Sequence, residues 1–232
     1  MDIKGKIIAI EGTDGSGKQT QVKKLTERLK EKGYDVYSKS FPNYSSDSSA
    51  PIRMYLSGEI GKSPNDVSAK AASALFAIDR YITYKKEIED IYKAKEKVLV
   101  FDRYVASNII HQGAKLMSQE SLNYDELREF ILWINFLEHR DLEIPKADIT
   151  IYLNVPLSYT KKLRENRVNK INNTSKQDIH ESNDDYLMNC QITGVAAAKI
   201  LDWDVVECIK NDTMRSVDDI AEEIWNIISE KM

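Results

Sequence analysis

Short apolar runs and longer amphipathic segments take turns along the chain. Residues 6–10, 98–101, 149–153 and 205–209 are mostly apolar, and residues 36–41 form a more mixed run of the same kind. Unbroken apolar runs suit strands covered on both faces. Between them, apolar positions recur at helical spacing over residues 18–32, 67–94, 124–139, 157–166, 186–203 and 217–228. Strand and helix in alternation predict an α/β architecture, a five-stranded parallel sheet with helices on both faces. Residues 168–185, rich in Asn, Ser, Thr, Lys and Asp, break the rhythm and predict a mobile surface loop rather than a linker.

Composition narrows this further. A chain of 232 residues, 42% of them hydrophobic, has enough apolar material for one sizeable core, so residues 1–232 are expected to form a single domain. Lys and Arg number 33 against 37 Asp and Glu, a net charge of -4, so the chain as a whole has no attraction for nucleic acid or an anionic membrane. An anionic ligand has to be caught locally. The two cysteines, Cys190 and Cys208, form no CxxC pair, which argues against a disulfide framework or a zinc site and for a reducing, cytoplasmic setting. The first apolar run is too short for a signal-peptide core and no later run reaches membrane-spanning length, so a soluble protein is expected.

The chemistry starts at Gly12-x-x-x-x-Gly17-Lys18, directly after a predicted strand and directly before a predicted helix. That context marks a P-loop: glycines let the backbone curl its N–H groups toward a phosphate, the helix N-terminus adds positive potential, and Lys18 supplies a point charge for the β- and γ-phosphates. The expected ATP contacts are Gly12, Asp14, Gly15, Ser16, Gly17, Lys18, Gln19 and Thr20. Gln19 stands where a Ser or Thr usually ligates Mg²⁺; its amide oxygen has a different reach, which leaves Thr20 or carboxylates elsewhere as alternatives. A second constellation, VLVFDRYVASNIIHQG, ends an apolar strand in Asp102 and Arg103. Ligands of open parallel sheets gather at that edge, and a carboxylate for the metal beside a guanidinium for a second phosphate suits the joining of two phosphorylated molecules.

With EGTDGSGKQTQ, SFPNY, ALFAIDRY, FDRYVASN, RENRVNK and DIHE in this order over nearly the whole chain, the sequence resembles the thymidylate kinases of the P-loop nucleoside monophosphate kinases. The resemblance implies a three-layer P-loop NTPase fold and transfer of the γ-phosphoryl group of ATP to dTMP, with Mg²⁺ as cofactor. It assigns Asp14 to the acceptor sugar's 3'-hydroxyl and Arg103 to the dTMP phosphate. Gly15 in place of an arginine is similar to members whose catalytic arginines come from the lid, here Arg164 and Arg167 with Lys170 at the entrance to the loop. Asp178 and Glu181 match an acidic pair that orders the lid or supports the metal; the carboxylates expected around Mg²⁺ are Asp14, Asp102 and Glu181.

The same resemblance makes Phe76 the ring that stacks on thymine and Arg80, four residues on along one helical face, the donor to its carbonyl. A buried Arg80 beside Phe76 needs an acceptor for its donors, which the base would supply. Phe41 and Pro42 match the wall over the acceptor, Tyr44 a contact to its phosphate, and Ser107, Asn108 and Gln112 polar contacts to the base or pocket; Asn43 replaces a commonly charged residue. His111 replaces an aromatic ring that crowds the sugar's 2' side, which loosens the expected preference for deoxyribose. A homodimer through the helix bearing Ala71, Ala74, Leu75 and Ile78 is also implied, although that stripe could equally face the sheet. Two other readings compete: a kinase for another pyrimidine nucleotide or nucleoside, and a catalytically silent nucleotide-binding regulator.

Overall fold

A computed structural model describes residues 3–63, 66–120, 122–164 and 184–231, with residues 161–164 described by backbone only. The strands β1 (Ile7–Gly12), β2 (Val36–Ser40), β3 (Val98–Asp102), β4 (Ile149–Asn154) and β5 (Asp204–Glu207) form one sheet in the order β2-β3-β1-β4-β5. All its pairings are parallel. The alternating pleat splits the strand residues into two cores. Ile8, Ile10, Val98 and Val100 pack with α1 (Lys18–Glu31) and α9 (Val217–Lys231), whereas Ile7, Ala9, Leu99 and Phe101 pack on the opposite side. Helices thus cover both faces, as the unbroken apolar strands require.

The expected helix over 67–94 is a nearly continuous rod. Ser68 caps α3 (Ala69–Thr83) by accepting from the Ala71 N–H; a π-helical turn at Tyr84–Ile88 then leads into α4 (Glu89–Ala94), which stops at Lys95 with φ 53. Ala71, Ala74 and Ile78 lie exposed along it and Leu75 half-buried, so the stripe does not face the sheet. Two helices were not anticipated. One is the short α2 (Ala50–Leu56); the other is α5 (Val105–Gln119), where Ser107, Asn108, Gln112 and Lys115 are buried together with the apolar residues, leaving no one-sided stripe to read. After α6 (Tyr124–Phe136), a π-helical turn at Leu137–Asp141 continues toward β4, and α7 (Leu157–Arg164) follows that strand. The helix α8 (Asp184–Leu201) begins inside the stretch expected to be loop, since Asp184 and Asp185 form its first turn. A small antiparallel hairpin, β6 (Ile209–Lys210) with β7 (Thr213–Met214), links β5 to α9.

α8 packs closely on α5 and on β4 because a glycine stands at each contact. A Cβ on Gly113 would lie 2.6 Å from Thr193 Cγ2, and one on Gly194 would lie 2.4 Å from Tyr152 Cζ and Oη. Tyr152 is fully buried in β4 and has no room to move. Gly194→Ala is therefore expected to cost about 1–3 kcal/mol despite alanine's better helix propensity. A thermal melt should show a Tm lower by roughly 5 °C.

Candidate active site

Gly12, Gly15 and Gly17 hold φ values of 150, 83 and 85, backbone that a side chain would strain. At Gly12 sterics add to this, because a Cβ would sit 2.6 Å from Ser16 Oγ. The loop closes over its own lysine: Lys18 Nζ donates to the Thr13 carbonyl at 2.7 Å and lies 3.5 Å from Ser16 Oγ. Burial, reinforced by the Arg103 charge, lowers the Lys18 pKa to about 7 against the opposing pull of Asp14, Asp102 and Glu11. Gln19 and Thr20, next on α1, are exposed.

The register Ile10 to Asp102 between neighbouring β1 and β3 brings the second constellation to this loop. Arg103 takes the left-handed conformation, φ 68, with its N–H donating to the Ile10 carbonyl at 3.2 Å. Its guanidinium forms an ion pair with Asp14, donates to Ser107 Oγ at 3.2 Å and meets His111 Nε2 at 3.1 Å. Guanidinium donates only, so Nε2 accepts and the other ring nitrogen, Nδ1, faces Tyr186 Oη at 3.1 Å. Burial opposes the Arg103 charge, but Asp14, Asp102 and Glu11 outweigh it and hold the group charged. Glu11, which the sequence reading passed over, is fully buried and accepts from the Tyr104 N–H and Ser107 Oγ, both at 2.6 Å. Its one outward signal is an acid at the end of an apolar strand.

The expected base-contacting residues come together beside this edge. Phe76 is half-buried and edge-on to Tyr55, ring centres 6.5 Å apart. Arg80 is 2% exposed, and the acceptor anticipated for its donors is partly supplied by protein: Nε and Nη2 bind Glu138 at 2.5 and 2.7 Å. Asn108 and Gln112 are buried one helical turn apart on α5, each with an amide oxygen that has no partner among the described residues. Ser107, by contrast, is already engaged by Glu11 and Arg103. Phe41 is a core ring against Phe101 and Tyr104, whereas Pro42 and Tyr44 are half-buried. Asn43 points away from ligand: its N–H donates to Asp79 at 2.9 Å and its amide to Thr83 and Glu87 at 3.2 and 2.8 Å.

The sequence model of the thymidylate kinase family matches residues 10–224 of this chain. The chain belongs to that family. Similar proteins include the probable thymidylate kinase of Caldivirga maquilingensis, 26% identical over 225 residues covering 97% of this chain and 93% of that one. The thymidylate kinase of Plasmodium falciparum is 29% identical over 229 residues, covering 95% and 93%, and that of Mycobacterium tuberculosis 34% identical over 150 residues, covering 64% and 65%. Among solved structures, Candida albicans thymidylate kinase superposes with a TM-score of 0.72 at 21% identity over 98% of this chain and 92% of that one, a likeness of fold.

Of the family residues expected in the lid, Arg167, Lys170, Asp178 and Glu181 lie outside the described residues, as does the Arg164 side chain at the end of α7. Among the described residues no group of three or more His, Cys, Asp or Glu forms a metal cluster. Asp14 is committed to Arg103 and Glu11 to Tyr104 and Ser107, whereas the Asp102 carboxylate accepts, among the described residues, a long 3.4 Å bond from Ser40. One carboxylate fits Mg²⁺, which usually takes one or two carboxylates plus phosphate oxygens and water.

The lowered Lys18 pKa makes a measurable demand. Phosphates favour the charged lysine, so binding of ATP should take up a proton above pH 7 and none well below it. Calorimetry in buffers of different ionisation enthalpy should show this uptake at pH 8, with affinity falling as pH rises; Lys18→Met should abolish it.

Proposed function

We propose that this thymidylate kinase family chain, acting as a single domain, transfers the γ-phosphoryl group of ATP to dTMP, giving dTDP and ADP. The observation that carries the reading is the pair of cations at adjacent strand ends, buried Lys18 in the P-loop and half-buried Arg103 after β3, the latter paired with the P-loop's Asp14. Two cations that close suit two phosphorylated ligands meeting head to head. Lys18 takes the β- and γ-phosphates of ATP, Arg103 the phosphate of dTMP, and Asp14, once Arg103 turns to that phosphate, the 3'-hydroxyl. The acceptor oxygen is already anionic, so the reaction needs no strong base; catalysis is alignment and charge neutralisation.

Asp102 is the carboxylate that would hold Mg²⁺, with Gln19 and Thr20, directly after Lys18, and Glu181 as further candidates. The ion would supply neutralisation of the phosphate charge. Arg164 and Arg167, with Lys170, would close positive charge over the transferring group and keep water out. The exposed stripe of Ala71, Ala74 and Ile78 supports a homodimer through α3. No helix among the described residues is long and apolar enough to cross a membrane, and both cysteines are buried and unpaired, which supports work in a reducing cytoplasm.

ADP release with Mg²⁺ and ATP, compared across dTMP, dUMP, UMP and thymidine, tests this. The fastest turnover is expected with dTMP. Thymidine as the preferred acceptor would make the chain a nucleoside kinase, and ATP binding without turnover on any acceptor would make it a regulator. Arg103→Met should reduce kcat/KM for dTMP by about a hundredfold or more while leaving ATP affinity within about threefold.

A further inference from the structure

Glu138 belongs to none of the sequence motifs. It sits in the π-helical turn Leu137–Asp141 after α6, and its side chain is fully buried. Such turns re-aim side chains and collect at functional sites. A carboxylate without solvent must be fully compensated, and Glu138 is, by hydrogen bonds from Arg80 Nε and Nη2 on α3 and from Asn108 Nδ2 on α5, the last at 2.8 Å. Asn108 Nδ2 sends its other proton to the Ser73 carbonyl at 3.1 Å.

Both partners of the Asn108 amide accept and cannot donate, so its nitrogen has to face them. The orientation is therefore forced, and Asn108 Oδ1 is left as a buried acceptor with no partner among the described residues. Arg80 is fixed by the same carboxylate through two of its three nitrogens, and Nη1 is the corner that neither bond uses. One buried acid thus orients one donor and one acceptor.

We infer that Glu138 is the positioning residue for base recognition, aiming Arg80 Nη1 and Asn108 Oδ1 at the edge of a pyrimidine-2,4-dione. This rests on the reading of dTMP as acceptor. Such a base offers a carbonyl at C4 and an N–H at N3, the complement of that donor and acceptor. Cytosine offers the reverse, an amino group and a bare ring nitrogen, and meets like against like at both positions. Thymine and uracil share the edge, so Glu138 separates both from cytosine and neither from the other.

The wild-type protein is assayed first with Mg²⁺ and ATP on dTMP, dUMP and dCMP; failure to phosphorylate dTMP would sink the functional reading itself. Given that activity, Glu138→Gln must turn an N–H toward Arg80 or Asn108. It should lower kcat/KM on dTMP and dUMP equally, by at least about tenfold and mainly through KM, with dCMP and the KM for ATP changed by less than about threefold. Glu138→Asp, which keeps the charge, should recover part of the preference for dTMP over dCMP. An unchanged ratio of dTMP to dCMP, or an equal loss on all three acceptors, would overturn the inference. Should the Gln variant fail to melt cooperatively, the wild type bound to dTMP labelled with nitrogen-15 at N3 decides: an imino proton protected from exchange and shifted downfield is expected, and one exchanging as in free dTMP would contradict it.

Discussion

Arg103 meets Asp14 across the carboxyl edge of the sheet, and the whole site depends on the charge confined there. Two cations, Lys18 and Arg103, stand with three acids, Glu11, Asp14 and Asp102, at the ends of two adjacent strands. Isolated charges at such burial would be strongly destabilising, and pairing offsets most of that cost. The consequence for function is preorganisation. Incoming phosphates replace the internal partners of cations already in position, Asp14 at Arg103 and the Thr13 carbonyl at Lys18, and little has to be reorganised when the transferring group develops charge.

The rest of the fold serves that confinement. The order β2-β3-β1-β4-β5 puts the P-loop strand in the middle of the sheet with the Asp102 strand beside it, so both turns open at one edge. Glu11 ties them from below by accepting from Tyr104 and Ser107. The helix α5 carries the acceptor side: Arg103 precedes it, His111 supports the guanidinium, and Asn108 sits where α3 and the turn after α6 converge. Close packing of α5 on α8 at Gly113, and of α8 on β4 at Gly194, fixes where those side chains stand.

The strand runs and the P-loop were legible because their signals are local: consecutive apolar residues, glycines at positive φ, and a lysine at the helix start. The helix α5 was not, because its polar residues turn inward with the apolar ones and erase the stripe on which a helix is recognised. Partnership was harder still. The need of Arg80 for an acceptor was visible, but Glu138 lies 58 positions away, and a lone acid among charged neighbours in LEHRD carries no mark of complete burial. Asn43 in SFPNY likewise stands out in the sequence only as replacing a commonly charged residue, and the fold shows it bracing the loop against Asp79, Thr83 and Glu87.

Binding of a single molecule that spans both phosphate sites reads out whether the two cations work together. In an adenosine and a thymidine joined 5' to 5' through five phosphates, both nucleosides and the bridging charge are presented at once. If Lys18 and Arg103 are held for two phosphorylated ligands meeting head to head, calorimetry with Mg²⁺ should give an affinity at least about a hundredfold tighter than ATP or dTMP alone, since the second half binds at high effective concentration. An affinity no better than that of ATP would show that the two cations do not serve one continuous site.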